Sequence, residues 1–188
     1  NVTFDLSAEA GAWLEQVPQE TILFNEAKLD RRFNINLDLG ATALIGDMVV
    51  LGRLAMGERF EAGAFSDTWK LTLGDRLVWC DRTGFEGEGI SRAKDNRFGL
   101  DGAQAFATVL YVGEDAEKVV ELIRASGIET QASDHGVRMG VTCLETHSLV
   151  RLMGPVPQRV RMLLGEIWKQ LRSEQGGFAP RLPTLWSI

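Results

Sequence analysis

"DTWKLTLGDRLVWCD", residues 67–81, alternates apolar and polar side chains on both sides of a Gly-Asp pair. Trp69, Leu71 and Leu73 share one face of an extended chain, Gly74-Asp75 supplies the reversal, and Leu77-Val78-Trp79 returns. Apolar residues at a period of two mark a half-buried strand, so the stretch reads as a β-hairpin. The pattern spreads in both directions. "NVTFDL" (1–6) sets Val2, Phe4 and Leu6 on one face, and "RRFNINLDLG" (31–40) does the same with Phe33, Ile35, Leu37 and Leu39. "ETILFN" (20–25) is a short apolar core run, "AFATVLYVG" (105–113) and "SLVRLMG" (148–154) read as further strands, and glycines mark the turns.

"VVLGRLAMGERFEAG" (49–63) fits this scheme as a buried strand, a glycine turn at Gly52 and Gly57, and a polar return strand near Glu58, Arg59 and Glu61. Two later segments change to the helical period. In "EDAEKVVELIRASG" (114–127), Ala116, Val119, Val120 and Ile123 follow i, i+3, i+4, i+7, with Asp115 as the expected N-cap and Gly127 as the stop. In "PQRVRMLLGEIWKQLRSEQGG" (157–177), Val160, Leu163, Leu164, Ile167 and Leu171 form one stripe, preceded by Pro155 and Pro157 and ended by Gly176-Gly177. Burying that stripe contributes about 7–15 kcal/mol as an upper bound, enough to dock the helix on a sheet. The expected fold is mainly β: layered short strands, with two α-helices in the C-terminal half.

Composition narrows the function. At 188 residues the chain is long enough for a real core, and 45% apolar residues argue against disorder. A formal net charge of −6 leaves no basic surplus to neutralise phosphates, which argues against nucleic-acid binding. No apolar run approaches the roughly 20 residues of a membrane span, and no signal peptide opens the chain. Cys80 and Cys143 form neither a CxxC pair nor a disulfide framework. The chain opens on Asn1 rather than Met and Val2–Leu6 already alternates like a strand, so it is expected to begin inside a longer protein.

Motifs for catalysis are absent: no G-x-S-x-G, no Walker loop and no dinucleotide fingerprint. "EGEGIS" (86–91) has close glycines, but Glu86 and Glu88 would repel a phosphate, so a loop or bulge is expected there. His135 and His147 lack zinc-site spacing. Among the many carboxylates, pairs could in principle serve glycoside hydrolysis. Asp47 and Asp81 differ from the rest, because each sits beside a strongly apolar run, "ALIGDMVVLG" (43–52) and "RLVWCDRTG" (76–84). Such a carboxylate either ends a strand in water or is buried and paired. Arg82 is not an automatic partner for Asp81, since adjacent strand residues face opposite sides.

In order along the chain, "VPQETILF" (17–24), "GRLAMGE" (52–58), "LVWCDR" (77–82), "AFATVLYV" (105–112) and "RLPTLW" (181–186) resemble the urease accessory protein family UreD, called UreH in some organisms. The resemblance covers residue 2 to the end as one UreD-like domain, 1–188, and lacks the family's N-terminal third. Gln16 stands where family members usually have Trp. The family fold is a β-helix-like stack of strands with two α-helices. The resemblance implies a non-enzymatic, cytoplasmic chaperone of nickel urease that binds the urease apoprotein and UreF, recruits the GTPase UreG through UreF, and holds nickel only transiently. It allows a dimer within the accessory complex and involves neither nucleic acid nor membrane. Carboxylates proposed in the family to line a nickel channel match Asp47 and Asp81 here, and Glu58 is a further candidate. The alternatives are a carboxylate-pair hydrolase and a β-rich interaction domain of unrelated role.

Overall fold

The computed structural model describes residues 1–186. The 67–81 stretch forms the expected hairpin: β7 (Ala64–Leu73) pairs antiparallel with β8 (Arg76–Glu86). A register shift between Leu71 and Thr72 marks a bulge at its turn end. On the other side, β7 pairs parallel with β4 (Lys28–Leu37), and β4 pairs parallel with β1 (Val2–Ala8), completing the sheet β1-β4-β7-β8.

A second sheet runs β10 (Arg138–Leu144), β11 (His147–Gly154), β9 (Ala105–Val112), β5 (Thr42–Arg53), β2 (Trp13–Gln16). The short strands β3 (Thr21–Leu23) and β6 (Glu58–Arg59) also pair with β5. The chain alternates between the sheets, β1 to β2 and then β4 to β5, and each return lies parallel to its predecessor. This coiling is the β-helix-like stack expected from the family resemblance.

Between the sheets lies an apolar layer of Phe33, Ile35, Leu37 and Leu71 from one and Ala43, Ile45, Leu110 and Leu149 from the other. The outer face of the second sheet is covered by α2 (Ala116–Ala125), α3 (Ile128–Asp134) and α4 (Pro157–Glu174). β5 is therefore buried on both faces, which explains its nearly unbroken apolar run. Close approach also constrains its sequence: a Cβ on Gly46 would stand 2.5 Å from the Trp168 ring of α4.

The two expected helices are present, and every side chain of both expected stripes is buried. Pro157 opens α4, where its missing N–H leaves nothing unsatisfied. Gly127 adopts the left-handed conformation that ends α2. Asp115 occupies the N-cap position but makes no side-chain cap bond; it pairs with Lys118 instead.

Among the described residues two further α-helices, α1 (Gly89–Asp95) and α3, were not expected. Each spans 7 residues, about two turns and shorter than the window of roughly 11–18 residues over which a helical period stands out. The expected loop at "EGEGIS" thus gives way to helix from Gly89 onward. Gly52 and Gly57 both take positive φ at the turn leaving β5, with a short 3-10 turn, Leu54–Met56, between them.

Candidate functional site

Charged side chains interrupt the apolar layer between the sheets. Arg31 lies in phase with Phe33, Ile35 and Leu37 on β4, so the strand's alternation turns it inward. Asp67 is in phase with Trp69 and Leu71 on β7, and Asp47 with Ala43 and Ile45 on β5. Cross-strand register places Arg31 opposite Asp67, and Asp67 opposite Thr83. In the facing sheet, Asp47 is opposite Thr108, and Thr108 opposite Arg151. Two polar rows thus face one another across the core.

Arg31, only 2% exposed, links the sheets. Its Nε and Nη2 donate to the two oxygens of Asp67, each at 3.0 Å. Its Nη1 and Nη2 donate to the Asp47 carboxylate at 2.8 and 2.5 Å, and Nη1 also donates to Thr21 Oγ1 at 2.9 Å. The Phe33 and Phe65 rings flank the guanidinium, with centroids 5.2 and 5.7 Å from its central carbon. Trp69 Nε1 donates to Asp67 Oδ2 at 2.9 Å.

One guanidinium serves two buried carboxylates, so the cluster holds a surplus negative charge when both are ionised. Burial opposes the Arg31 charge, but hydrogen bonds and charges from Asp67 and Asp47 outweigh it and raise its pKa. Burial of Asp47 is the larger effect on that group; Arg31 only partly offsets it, and the carboxyl is pushed up to about 6.

Beside this cluster lies a cavity of about 290 Å³. Asp47, Asp67, Thr83 and Thr108 contribute polar lining, with Trp69, Trp79, Phe85 and Phe106 as aromatic walls. Asp81 lines it too, directly opposite Trp69 in the β7–β8 register. Its partner is Arg151, whose Nη2 donates to Asp81 Oδ2 at 2.6 Å from the facing sheet.

The structure therefore brings Asp47 and Asp81 to one cavity and keeps Glu58 away from it. Glu58 is at the turn leaving β5, where it accepts from Arg53 Nε and from the Asn25 backbone N–H at 2.9 Å. Those bonds hold its carboxyl below the ordinary value. Asp47 follows the buried and paired alternative left open by the sequence, whereas Asp81 is paired but only half-buried and matches neither alternative fully. Arg31 and Asp67 were missed as site residues, although each stands one alternation before the apolar set of its strand.

The histidines remain separate from the cavity charges. His147 is buried against Trp79, with ring centroids 5.5 Å apart, and burial lowers its pKa; His135 follows the last turn of α3. Among the described residues no group of three or more His, Cys, Asp or Glu is arranged to hold a metal ion. The oxygens of the cavity suit weak contacts to a hard or borderline cation rather than a tight cage.

Fold and site together define a mainly β protein whose two-sheet core is crossed by a charged band beside a cavity. The family model described as UreD urease accessory protein matches residues 1–187. Urease accessory protein UreD of Magnetococcus marinus is 35% identical over 187 residues, covering 100% of this chain and 64% of the relative. The UreD of Agrobacterium fabrum is 37% identical over 163 residues, 85% of this chain and 57% of the relative. That of Bradyrhizobium diazoefficiens is 42% identical over 132 residues, 70% and 47% respectively. The chain belongs to the UreD family of urease accessory proteins. It spans less than two thirds of the length of these curated relatives.

Proposed function

We propose that this chain serves urease maturation as a binding protein without turnover of its own. In this reading it holds the urease apoprotein and UreF in the cytoplasm, recruits the GTPase UreG through UreF, and helps pass nickel toward the urease active site. The observation that supports it best is the charged band: Asp47 and Asp81 line one cavity inside a core that is otherwise apolar. Nickel is cargo here, not a resident cofactor. Spaced carboxylate and hydroxyl oxygens offer an ion weak contacts from which it can leave again. Glu58, at the surface beside Arg53, is a third candidate contact outside the cavity.

A carboxylate-pair hydrolase fits the geometry less well. Asp47 and Asp67 are both hydrogen-bonded to the same guanidinium, so neither offers a carboxyl free for proton transfer. The test is co-expression of the full-length, tagged protein with UreF and urease subunits of the same organism, followed by affinity purification. Retention of UreF and apo-urease is expected. A full-length protein that is folded by circular dichroism and retains neither overturns the reading.

A further inference from the structure

The two arginines of the charged band are held in very different ways. Arg31 makes five hydrogen bonds, lies between two aromatic rings, and its side chain is 3% exposed. Arg151 donates to one carboxylate oxygen, that of Asp81, and its side chain is 46% exposed. Asp81 is itself 32% exposed, so this pair stands where the cavity meets solvent while the Arg31 cluster closes its inner side. Opposite Arg151 on the edge strand β10 is Gly140, and no atom lies within 4 Å of where a Cβ there would stand. The face of β10 next to Arg151 therefore has open space above Gly140.

Charge balance gives this asymmetry a consequence. Asp47, Asp67 and Asp81 are set against Arg31 and Arg151, which leaves one surplus negative charge around the cavity. A divalent cation added to that set would reverse the sign to a surplus positive charge, unless a guanidinium leaves. Arg31 cannot leave without breaking all its bonds and exposing two buried carboxylates to one another. Arg151 can leave by breaking an exposed ion pair, which holds little free energy.

We infer that Arg151 is a displaceable plug at the mouth of the cavity: it occupies Asp81 when no metal is present and swings over Gly140 when a divalent cation takes its place. The inference rests on the reading of the cavity as a cation path. Arg151 makes entry competitive, so that a cation is accepted only where it outbids a guanidinium for Asp81, and it restores the pair behind each ion that moves on. Arg31 stays in place throughout and keeps the inner carboxylates apart.

The experiment is titration of full-length protein with nickel chloride, read by competition with a chromophoric chelator. Wild type is compared with Arg151→Gln, Arg151→Lys and Asp81→Asn, each checked by thermal melting. Removing the competing charge in Arg151→Gln should tighten nickel binding by roughly two- to fivefold, the most that competition from an exposed ion pair can withhold. Arg151→Lys, which keeps the charge, should stay near wild type, and Asp81→Asn should weaken binding. If Asp81→Asn weakens binding while Arg151→Gln leaves it unchanged, the plug is overturned and the cation path stands. If neither variant changes nickel affinity, Asp81 takes no cation and both fall.

Discussion

At the centre of the sandwich Arg31 donates to Asp47 and Asp67 at once, and its removal would leave two buried carboxylates facing each other without a cation. Arg31→Met should therefore destabilise the fold by about 3–5 kcal/mol, read from the urea midpoint. Asp47→Asn removes the surplus charge instead and leaves Arg31 paired with Asp67; its cost should be no more than about 1 kcal/mol at neutral pH. The same residue gives a pH dependence. The folded-state pKa of Asp47 is raised from 3.8 to about 6, so between those values the folded protein keeps a proton that the unfolded chain has lost. Stability from this group is greatest at low pH and falls as pH rises through that window, by on the order of 3 kcal/mol. Subtracting the stability–pH curve of Asp47→Asn from that of wild type should isolate this decline. A difference that is flat from pH 4 to 7 would show that Asp47 ionises normally.

At the scale of elements, β5 and α4 depend on one another. Gly46 admits the Trp168 ring to the strand backbone, and Trp168 Nε1 donates to Glu15 Oε1 of β2 at 2.7 Å, tying helix to sheet edge. Gly46→Ala should cost about 1–3 kcal/mol through overpacking. In the double variant with Trp168→Leu, that cost should shrink, because the ring atom closest to the new methyl is gone. Thermal unfolding of the four proteins in this cycle measures the coupling. Strictly additive losses would mean that Trp168 does not set the need for glycine. The apolar stripe of α4 was readable from spacing alone, although Trp168 was not assigned to it and the nearly unbroken apolar run of β5 has no period to read. That a glycine in a strand meets one tryptophan of a helix more than a hundred residues later was not readable, because spacing carries no information on which faces meet.

For the whole molecule, the charged band is a property of two sheets together. Neither sheet alone pairs Asp47 with Arg31 or Asp81 with Arg151. If the band carries nickel, Asp47→Asn and Asp81→Asn in the full-length protein should lower urease activation at limiting nickel, with recovery when nickel is in excess. Activity equal to wild type at limiting nickel, at matched protein levels, would remove these carboxylates from the path. Glu58→Gln is a useful companion, since Glu58 stands outside the cavity and reports on the surface at the turn leaving β5.

The sequence by itself determined most of the strands, the α2 and α4 stripes, and the core-facing side of β4 and β7, because those follow from periodicities of two and 3.6 residues. It did not mark β2, and Leu39, read with the core face of β4, lies past the strand end and is exposed. It also marked Asp47 and Asp81 through the apolar runs beside them, and by the same alternation Arg31 and Asp67 could be read as inward-facing. Only the tertiary structure decided the partners. Arg31 meets Asp47 across 16 residues of chain, and Asp81 meets Arg151 across 70. Local alternation says that a charge is buried; the opposite charge that makes burial tolerable comes from a different sheet, brought there by the order in which the chain coils between the two layers.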